Sequence, residues 1–299
     1  MGRSSSTRVS LLFLLHVSMV IQQQAQGEIP QNTRILIDKA NAEGPYIGVV
    51  IPNPFELEPL LQSPAFHGSS IIDFAGRRFR FGAMAGKKVI LVMTGLAMVN
   101  AGVTTQLLLS LFNVKGVVHY GIAGNANPSF HVGDVTIPRY WAHIGLWNWQ
   151  RYGQGVEDEL ALEAQGDYSR EYGNIRFADY TTNTKRCINA TTCISTTPRV
   201  ATVLRGASAS IFVDNAAYRA SLYDNFNVTP IEMESAGVAL ICHQQKVPFI
   251  TIRALSDLAG GGSAESNEAD TFLPLASTNS VLVVEEFIKK LDYYSVYVQ

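Results

Sequence analysis

Two short segments near the end of the chain combine acidic residues with the predicted ends of secondary-structure elements. The first, Glu232-Met233-Glu234, stands at the predicted start of a helix. The second ends an apolar strand, predicted over Val247–Leu255, on Asp257. Ligands of an α/β sheet bind beyond the carboxyl ends of its strands. An acid at such an end, facing a helix start with two more acids, suits chemistry on a sugar that carries a leaving group.

Three other predicted strand ends carry residues suited to the same edge of a sheet, namely Pro52–Glu56, Gly121–Gly124 and Phe212–Asn215. Gly121-Ile122-Ala123-Gly124 is predicted to be a small-residue turn that lets a flat ring approach the backbone. Each feature alone has an ordinary structural explanation, since acids at a helix start complement its N-terminus. Their combination therefore indicates a site more strongly than any one of them.

Alternating strands and helices predict a single α/β domain over residues 28–299, with helices on both faces of one core. Strands are expected over Tyr46–Ile51, Arg77–Met84, Lys87–Thr94, Gly116–Tyr120, Val132–Pro138, Ala209–Val213 and Val247–Leu255. Helices are expected over Phe55–Leu61, Val99–Phe112, Glu232–Gln245 and Thr278–Leu291, and Glu28–Gly44 as irregular or weakly helical. An irregular insertion is expected around residues 140–205.

The N-terminus predicts a secretory signal peptide over residues 1–27. Arg3 and Arg8 form a positive region, an apolar run covers Leu11–Ile21, and Ala25-Gln26-Gly27 is a small-residue cleavage context. The run is shorter than the roughly 20 residues of a membrane span. We therefore expect a protein of the secretory pathway, extracellular or vacuolar, without a membrane anchor once the signal is removed.

Cysteines and sequons agree with secretion. Asn189 and Asn227 head two N-glycosylation sequons, and Cys187 and Cys193 bracket the first of them. A short disulfide loop between these two cysteines is plausible in an oxidising compartment. Cys242 lies on an apolar helical pattern and is expected to be a buried thiol. Cysteine spacing of this kind predicts no metal site.

Composition narrows the class of partner. Hydrophobic residues make up 47% of the chain and charged residues 16%, with a formal net charge of -2. A charged fraction below the roughly 25% of ordinary soluble domains indicates a large core or a surface covered by another subunit. A homo-oligomer is therefore expected. The balanced charge provides no basic patch for nucleic acid.

The order and spacing of the motifs resemble the nucleoside phosphorylase superfamily, in its methylthioadenosine/adenosylhomocysteine nucleosidase-like branch, with secreted plant bark and vegetative storage proteins nearest. The resemblance covers roughly residues 46–291. It rests on the acid at Glu56, Thr94-Gly95-Leu96, Tyr120–Gly124, His131-Val132-Gly133-Asp134, Glu232-Met233-Glu234 and Arg253–Asp257. It implies a three-layer α/β/α sandwich with a mixed central sheet, and a purine nucleoside as the small-molecule ligand.

The resemblance also implies roles for individual residues. Asp257 would protonate the purine at N7 as the glycosidic bond breaks, and Glu56 would activate water. Glu234 would bind the ribose hydroxyls, Met233 would line the underside of the sugar, and Phe212 would stack on the base. The remaining residues implied to bind substrate are Ala123, Gly124, Glu232 and Ser256.

Two departures from the family pattern bear on the attacking group. Hydrolytic relatives have serine or threonine where Ile122 stands, and phosphorolytic relatives have arginine where Tyr120 stands. Phosphate needs cationic or N–H partners, and the adjoining strand end offers only His119, with Arg139, Arg151 or a neighbouring subunit as further candidates. Hydrolysis is therefore slightly favoured. No cofactor is implied, and phosphate would be a co-substrate only in phosphorolysis.

Three functions stay open at this stage. The protein is a nucleoside-cleaving enzyme, a storage protein that keeps the fold, or a nucleoside-binding module without turnover. Joint retention of Glu56, Met233, Glu234 and Asp257 favours activity, because a storage protein does not need them. The sequence also contains an aromatic cluster, which consists of Tyr140, Trp141, Trp147, Trp149 and Tyr152. It is interpreted either as a lid or subunit interface, or as the part of the pocket wall that holds a bulky N6 substituent of adenine.

Overall fold

The computed structural model describes residues 29–145, 167–169, 184–260 and 269–294 of the chain. Contacts divide the chain into two compact units, Met1–Ala42 and Glu43–Gln299, which are described separately. Helix α1 covers Gln31–Glu43, of which all but the last residue belongs to the first unit, and only weak helical character was expected for this stretch. The predicted signal peptide, residues 1–27, lies outside the described residues.

The described part of the second unit alternates strands with helices. The strands are β1 (Tyr46–Ile51), β2 (Phe66–Phe74), β3 (Arg77–Met84), β4 (Lys87–Met93), β5 (Val114–Asn125), β6 (Val135–His143), β7 (Asp167–Ser169), β8 (Val200–Ser208), β9 (Val228–Glu232) and β10 (Phe249–Asp257). The helices are α2 (Pro54–Leu61), α3 (Met98–Leu111), α4 (Ala216–Phe226), α5 (Ser235–Gln245) and α6 (Ala269–Tyr294). None of the helices that the structure describes is long and apolar enough to cross a membrane.

All the strands join one mixed sheet, in the order β10-β6-β8-β9-β5-β1-β4-β3-β2, with β7 beside β6. The long strand β5 pairs in parallel with both β1 and β10. Its last residues, Gly124 and Asn125, also pair with β9 in the antiparallel sense. The carboxyl ends of β1, β5 and β10 therefore meet at one edge of the sheet, with the end of β9 beside them.

Helices cover both faces of this sheet. On one face α2 packs on α6, which also contacts β5 and β10, and on the other α3 packs on α5. Alternate residues of β1, Ile47, Val49 and Ile51, join the core beneath α2 and α6. Gly48 faces α3, because a Cβ at this position would stand 2.7 Å from Leu108 Cδ2. The predicted three-layer α/β/α sandwich with a mixed sheet is confirmed.

The expected strand Ala209–Val213 is wrong, and so are the edges of the expected insertion. Residues 209–213 have no regular structure, whereas β6 continues to His143 and β8 begins at Val200. Valine and threonine residues favour strand at the start of β8, and this strand pairs in parallel with β6. Strands β2, β7, β8 and β9 and helix α4 were not predicted.

Two boundaries near the predicted site also differ. Gly121–Gly124 is the end of strand β5 and does not form a turn. The expected helix start at Glu232 is the last residue of β9, and α5 begins at Ser235. Pairing with neighbouring strands extends both elements. Gly124 of β5 pairs with Ile231, and Glu232 of β9 pairs with Ser208.

The predicted aromatic cluster falls partly outside the described residues, which do not include Trp147, Trp149 and Tyr152. Trp141 contributes to neither a lid nor an interface, since it is fully buried under Gly206 and its indole N–H donates to Thr251 Oγ1. The structure joins Cys187 to Cys193 by a disulfide, and Cys242 is a buried thiol.

Candidate functional site

Glu56 is held at the first turn of α2 by a reciprocal cap. Asn53 Oδ1 accepts the Glu56 N–H at 3.2 Å, and Glu56 Oε2 accepts the Asn53 N–H at 3.1 Å. The other carboxyl oxygen accepts the backbone N–H of Ile122 at 2.7 Å. This carboxyl is 1% exposed. Backbone groups of two elements therefore fix its position at the carboxyl end of β5.

Arg253, in the middle of β10, is fully buried at the centre of the site. Its Nη2 lies 2.5 Å from Glu232 Oε2 and 3.9 Å from Glu234 Oε2, and its Nη1 lies 3.8 Å from Glu56 Oε1. Its Nε donates to Ser235 Oγ at 3.1 Å. A buried charge requires partners of this kind, and one guanidinium thus joins three carboxyl groups from α2 and the β9–α5 connection.

His119 completes the environment of this guanidinium. Its Nδ1–H donates to the carbonyl of Val50 and its Nε2 accepts from Arg253 Nη2, at 2.9 and 2.5 Å. Burial and the charge of Arg253 hold the pKa of His119 well below 6.5, so the imidazole is neutral and this tautomer satisfies both contacts. His119 is therefore a structural residue of the site.

Glu232 lines the cavity and anchors its neighbours. One carboxyl oxygen accepts the N–H groups of Glu234 and Ser235 at 3.0 and 2.9 Å, and the other accepts the hydroxyl of Ser208. With Arg253 these contacts occupy the acceptors of the carboxylate. Glu232 therefore shapes the connection to α5, and its direct contact with substrate remains a prediction.

Glu234 follows at the N-terminus of α5 and is 4% exposed. Its Oε1 accepts the N–H of Ala97 at 2.8 Å, which ties the β9–α5 connection to the start of α3. Burial, and then the neighbouring charge of Glu232, raise the pKa of Glu234 to about 7. A carboxyl of this kind can both accept and donate a hydrogen bond near neutral pH.

Asp257 stands at the carboxyl end of β10, 5% exposed. Ser256 Oγ lies 2.7 Å from Asp257 Oδ1 and donates to it. Burial raises the pKa of Asp257 above its ordinary value of 3.8; Ser256 lowers it and the charge of Asp214 raises it further. A raised pKa favours the protonated form that a general acid needs.

Of the residues described so far, the four acids Glu56, Glu232, Glu234 and Asp257 line one cavity of about 290 Å³. All nine residues predicted to catalyse or to bind substrate contribute to its wall: Glu56, Ala123, Gly124, Phe212, Glu232, Met233, Glu234, Ser256 and Asp257. Phe212, on the segment between β8 and α4, is 66% exposed at the rim. The structure thus brings together the nine residues predicted to catalyse or to bind substrate, whereas Arg139, Tyr140 and Trp141 do not line this cavity.

The glycines of β5 serve a different purpose from the one expected. A Cβ at Gly121 would stand 2.2 Å from Glu56 Oε1 and 2.4 Å from Arg253 Nη1. A Cβ at Gly124 would meet Ala259 Cβ at 2.7 Å. Gly121 therefore makes room for the buried ion cluster, and Gly124 makes room for the segment after Asp257.

Several residues of the site were missed by sequence reasoning. Arg253, which is buried beside the cavity's acids without lining the cavity, was noted only as part of a motif, although a charge inside an otherwise apolar strand was the available signal. The additional residues that do line the wall are mainly apolar: Asn53, Leu96, Ile122, Ile211, Val213, Ile231, Ala259 and Leu273. Side chains of these types give no chemical signal in a sequence.

Comparison with known proteins now identifies the family. The family model of the Phosphorylase superfamily matches residues 46–289. The chain belongs to this superfamily. The match includes every wall residue of the cavity named above.

Similar proteins in the superfamily include plant storage proteins and bacterial nucleosidases. Bark storage protein A of Populus deltoides is 30% identical over 267 residues, which cover 77% of this chain and 83% of that protein. The 5'-methylthioadenosine/S-adenosylhomocysteine nucleosidase of Bacillus thuringiensis (strain Al Hakam) is 34% identical over 232 residues, which cover 72% and 88%. The nucleosidase of Neisseria meningitidis, solved with methylthio-immucillin-A, has a TM-score of 0.62 at 26% identity, covering 82% of this chain and 99% of that one.

Burial of three carboxyl groups beside one guanidinium has a measurable consequence in this member of the superfamily. Burial raises the pKa of Glu56 from 4.5 to about 8, against the opposing effects of Arg253 and the Ile122 N–H. Between these two values the folded protein keeps the proton that the unfolded chain has lost. The free energy of unfolding therefore decreases as pH rises across this interval.

We expect Glu56→Gln to weaken this pH dependence, because glutamine imitates the protonated carboxyl and does not titrate. One pKa unit corresponds to about 1.4 kcal/mol, so the wild-type Tm should fall by several degrees from about pH 5 to about pH 8. Glu234 leaves a smaller residual slope in the variant. Glu58→Gln, an exposed position of the same helix, is the control. Equal slopes of Tm against pH for wild type and Glu56→Gln would contradict the assignment.

Proposed function

We propose that the protein hydrolyses the N-glycosidic bond of purine nucleosides. The proposal rests on the cavity, whose wall contains the buried acid Asp257 together with Glu56 and Glu234. The similarity to nucleosidases of Bacillus and Neisseria supports it. Adenosine, methylthioadenosine and N6-substituted adenosines of the cytokinin type are the candidate substrates.

Each step has a residue with suitable chemistry. Glu234 accepts hydrogen bonds from the ribose hydroxyls, with Met233 under the ring. Glu56, once ionised, takes a proton from a water molecule while the oxygen of that water bonds to C1′. The C1′–N9 bond breaks, its electron pair stays with the purine, and Asp257 gives its proton to N7. Products are the free base and the sugar, and general acid catalysis of this kind typically contributes ~10²–10⁴-fold.

Water is favoured over phosphate as the attacking group because the buried cation of the site is already engaged by carboxyl groups and an anion needs cationic or N–H partners. Arg253, the buried cation of the cluster, already contacts Glu56, Glu232 and Glu234. A dianionic phosphate would meet this surplus of carboxyl groups. Ile122, where hydrolytic relatives have a hydroxyl, still holds Glu56 through its backbone N–H, so this departure leaves the base in place.

Storage is the second candidate function, and the similarity to bark storage protein A supports it. A store of nitrogen needs abundance and stability, whereas it has no use for a buried acid in the wall of a cavity. The two roles are compatible in one protein. The presence of the complete residue set favours catalysis as a role of this chain.

We expect wild-type protein to release free base and free sugar from methylthioadenosine without added phosphate. Asp257→Asn should lower kcat by about 10²-fold or more with the fold intact, because the substitution removes the acid and keeps its shape. Glu56→Gln should impair hydrolysis equally. Chromatography of base, sugar and sugar 1-phosphate checks this, with Glu58→Gln as the matched control. Sugar 1-phosphate formed only with phosphate, and spared by Glu56→Gln, would refute hydrolysis.

We also propose that the protein is a homo-oligomer. Leu96, Val99 and Val103 at the start of α3 are 54%, 78% and 51% exposed, and Leu96 belongs to the cavity wall. Exposed apolar surface of this kind, on a chain with 16% charged residues, fits contact with a second copy. Such a contact would border the cavity.

Sedimentation velocity should show wild-type protein heavier than the 32.7 kDa monomer. Val99→Glu should shift the sedimentation coefficient toward that of the monomer, because the substitution would bury a charge in the contact between the two copies. Leu204→Glu, at an exposed apolar position of β8, controls for the added charge. A wild type that sediments as a monomer at micromolar concentration would rule the oligomer out.

A secretory route is proposed from the disulfide, the N-terminal pattern and the sequons. Asn189 is exposed within the Cys187–Cys193 loop, and its Oδ1 accepts from the Thr191 hydroxyl at 3.0 Å. Asn227 is exposed at the end of α4. Both side chains are open to modification in an extracellular or vacuolar protein.

Protein secreted from a eukaryotic host should lose the mass of two glycans on treatment with an N-glycosidase. Asn189→Gln and Asn227→Gln should each lose one, since each removes a single acceptor. Mass spectrometry of the intact protein gives the count, and Asn225→Gln, outside any sequon, should behave as wild type. A wild-type mass that the glycosidase leaves unchanged would reject glycosylation.

A further inference from the structure

Arg219 on α4 connects this helix to the segment that follows Asp257. Its Nη1 donates to the carbonyls of Leu258 and Gly260, at 3.0 and 2.7 Å. We propose that Arg219 is a positioning residue, which holds the Asp257 carboxyl at the cavity by fixing Leu258–Gly260 against the first turns of α4. The inference rests on the proposed function of Asp257 and adds a residue outside the cavity wall.

A second contact joins the same two segments. Gly260 has φ +84, and a Cβ there would stand 2.0 Å from the backbone nitrogen of Asn215. Asn215 is the N-cap of α4, where its Oδ1 accepts the Tyr218 N–H at 2.9 Å, and its carbonyl accepts the Arg219 N–H at 2.9 Å. The segment after Asp257 therefore lies directly on the start of α4.

Asp257 needs this support because its own strand holds it weakly. The parallel register of β10 with β5 is regular up to Leu255 opposite Ala123, and then shifts so that Asp257 lies opposite Gly124. Beyond that point Ala259 packs against Gly124. The regular ladder ends before the acid, so its position depends on residues 258–260 and on what fixes them.

The charge of Arg219 acts on the same carboxyl. It lowers the pKa of Asp257, in opposition to burial and to the charge of Asp214. Replacing Arg219 by alanine should therefore raise that pKa, whereas lysine keeps a positive charge nearby. A residue that only stabilised α4 would leave the pH profile of the reaction unchanged.

Arg219 also has surroundings that tolerate truncation. Its half-buried side chain lines a second cavity, of about 520 Å³, together with Asn127, Tyr223, Asp224 and Leu258. Alanine would enlarge this existing space and leave no closed void in the core. Arg205 offers a matched control, because its Nη1 donates to the carbonyl of Phe226 at 2.7 Å, at the other end of α4.

The test compares wild type with Arg219→Ala, Arg219→Lys and Arg205→Ala. For each, kcat and KM for methylthioadenosine are measured across pH, and amide hydrogen exchange is followed over Leu258–Gly260. Arg219→Ala should lower kcat by about 10- to 100-fold with little change in KM, as expected for a small misplacement of a catalytic group. The limb of the pH profile due to Asp257 should move to higher pH, and exchange over the segment should accelerate.

Arg219→Lys should restore part of kcat and the wild-type pH profile, and Arg205→Ala should match wild type in every readout. Unchanged kcat in Arg219→Ala would overturn the positioning role, even with faster exchange. Loss of kcat equal to that in Arg205→Ala would overturn it as well. A wild type without turnover would refute the proposed function. Amide hydrogen exchange would then test by itself whether Arg219 fixes the segment, and unchanged exchange over Leu258–Gly260 in Arg219→Ala would overturn that role.

Discussion

Arg253 is the group on which the arrangement of the cavity depends. A guanidinium without partners inside a protein would cost several kcal/mol, so the chain must bring acceptors to it. Glu56 comes from α2, Glu232 ends β9, and Glu234 begins the turn into α5. Elements far apart in sequence are thereby held at one sheet edge, and glycine at position 121 is required because a Cβ would collide with the cluster.

Surplus carboxyl groups around this cation explain both the chemistry and its cost in stability. Burial raises the pKa of Glu56 to about 8 and that of Glu234 to about 7. The folded protein therefore keeps protons on these groups at pH values at which the unfolded chain has lost them. Strongly shifted carboxyl groups in a cavity are typical of functional sites. Sugar hydroxyls and a water molecule are ligands that such groups can bind, and the same surplus disfavours an anion.

Much of the cavity could be predicted because strand ends of an α/β sheet converge, so acids such as Asp257 and Glu234 had to approach one another. Local patterns could not show that Gly121 lies inside a long strand, or that Phe212 follows a strand ending at Ser208. Those facts depend on pairing between distant segments. The position of Arg253 in an apolar strand was a signal of burial, but its three carboxyl partners could not be predicted because tertiary structure brings them together.

The most direct test of this account is a crystal structure with a C-nucleoside analogue of adenosine, in which a carbon–carbon bond replaces the glycosidic bond and prevents cleavage. We expect the ribose hydroxyls within hydrogen-bond distance of Glu234, the purine beside Asp257 and against Phe212, and a water held by Glu56 near C1′. Arg253 should keep its contacts with the carboxyl groups. An analogue bound elsewhere, or a purine turned away from Asp257, would contradict the central claim that this cluster builds a nucleoside-cleaving site.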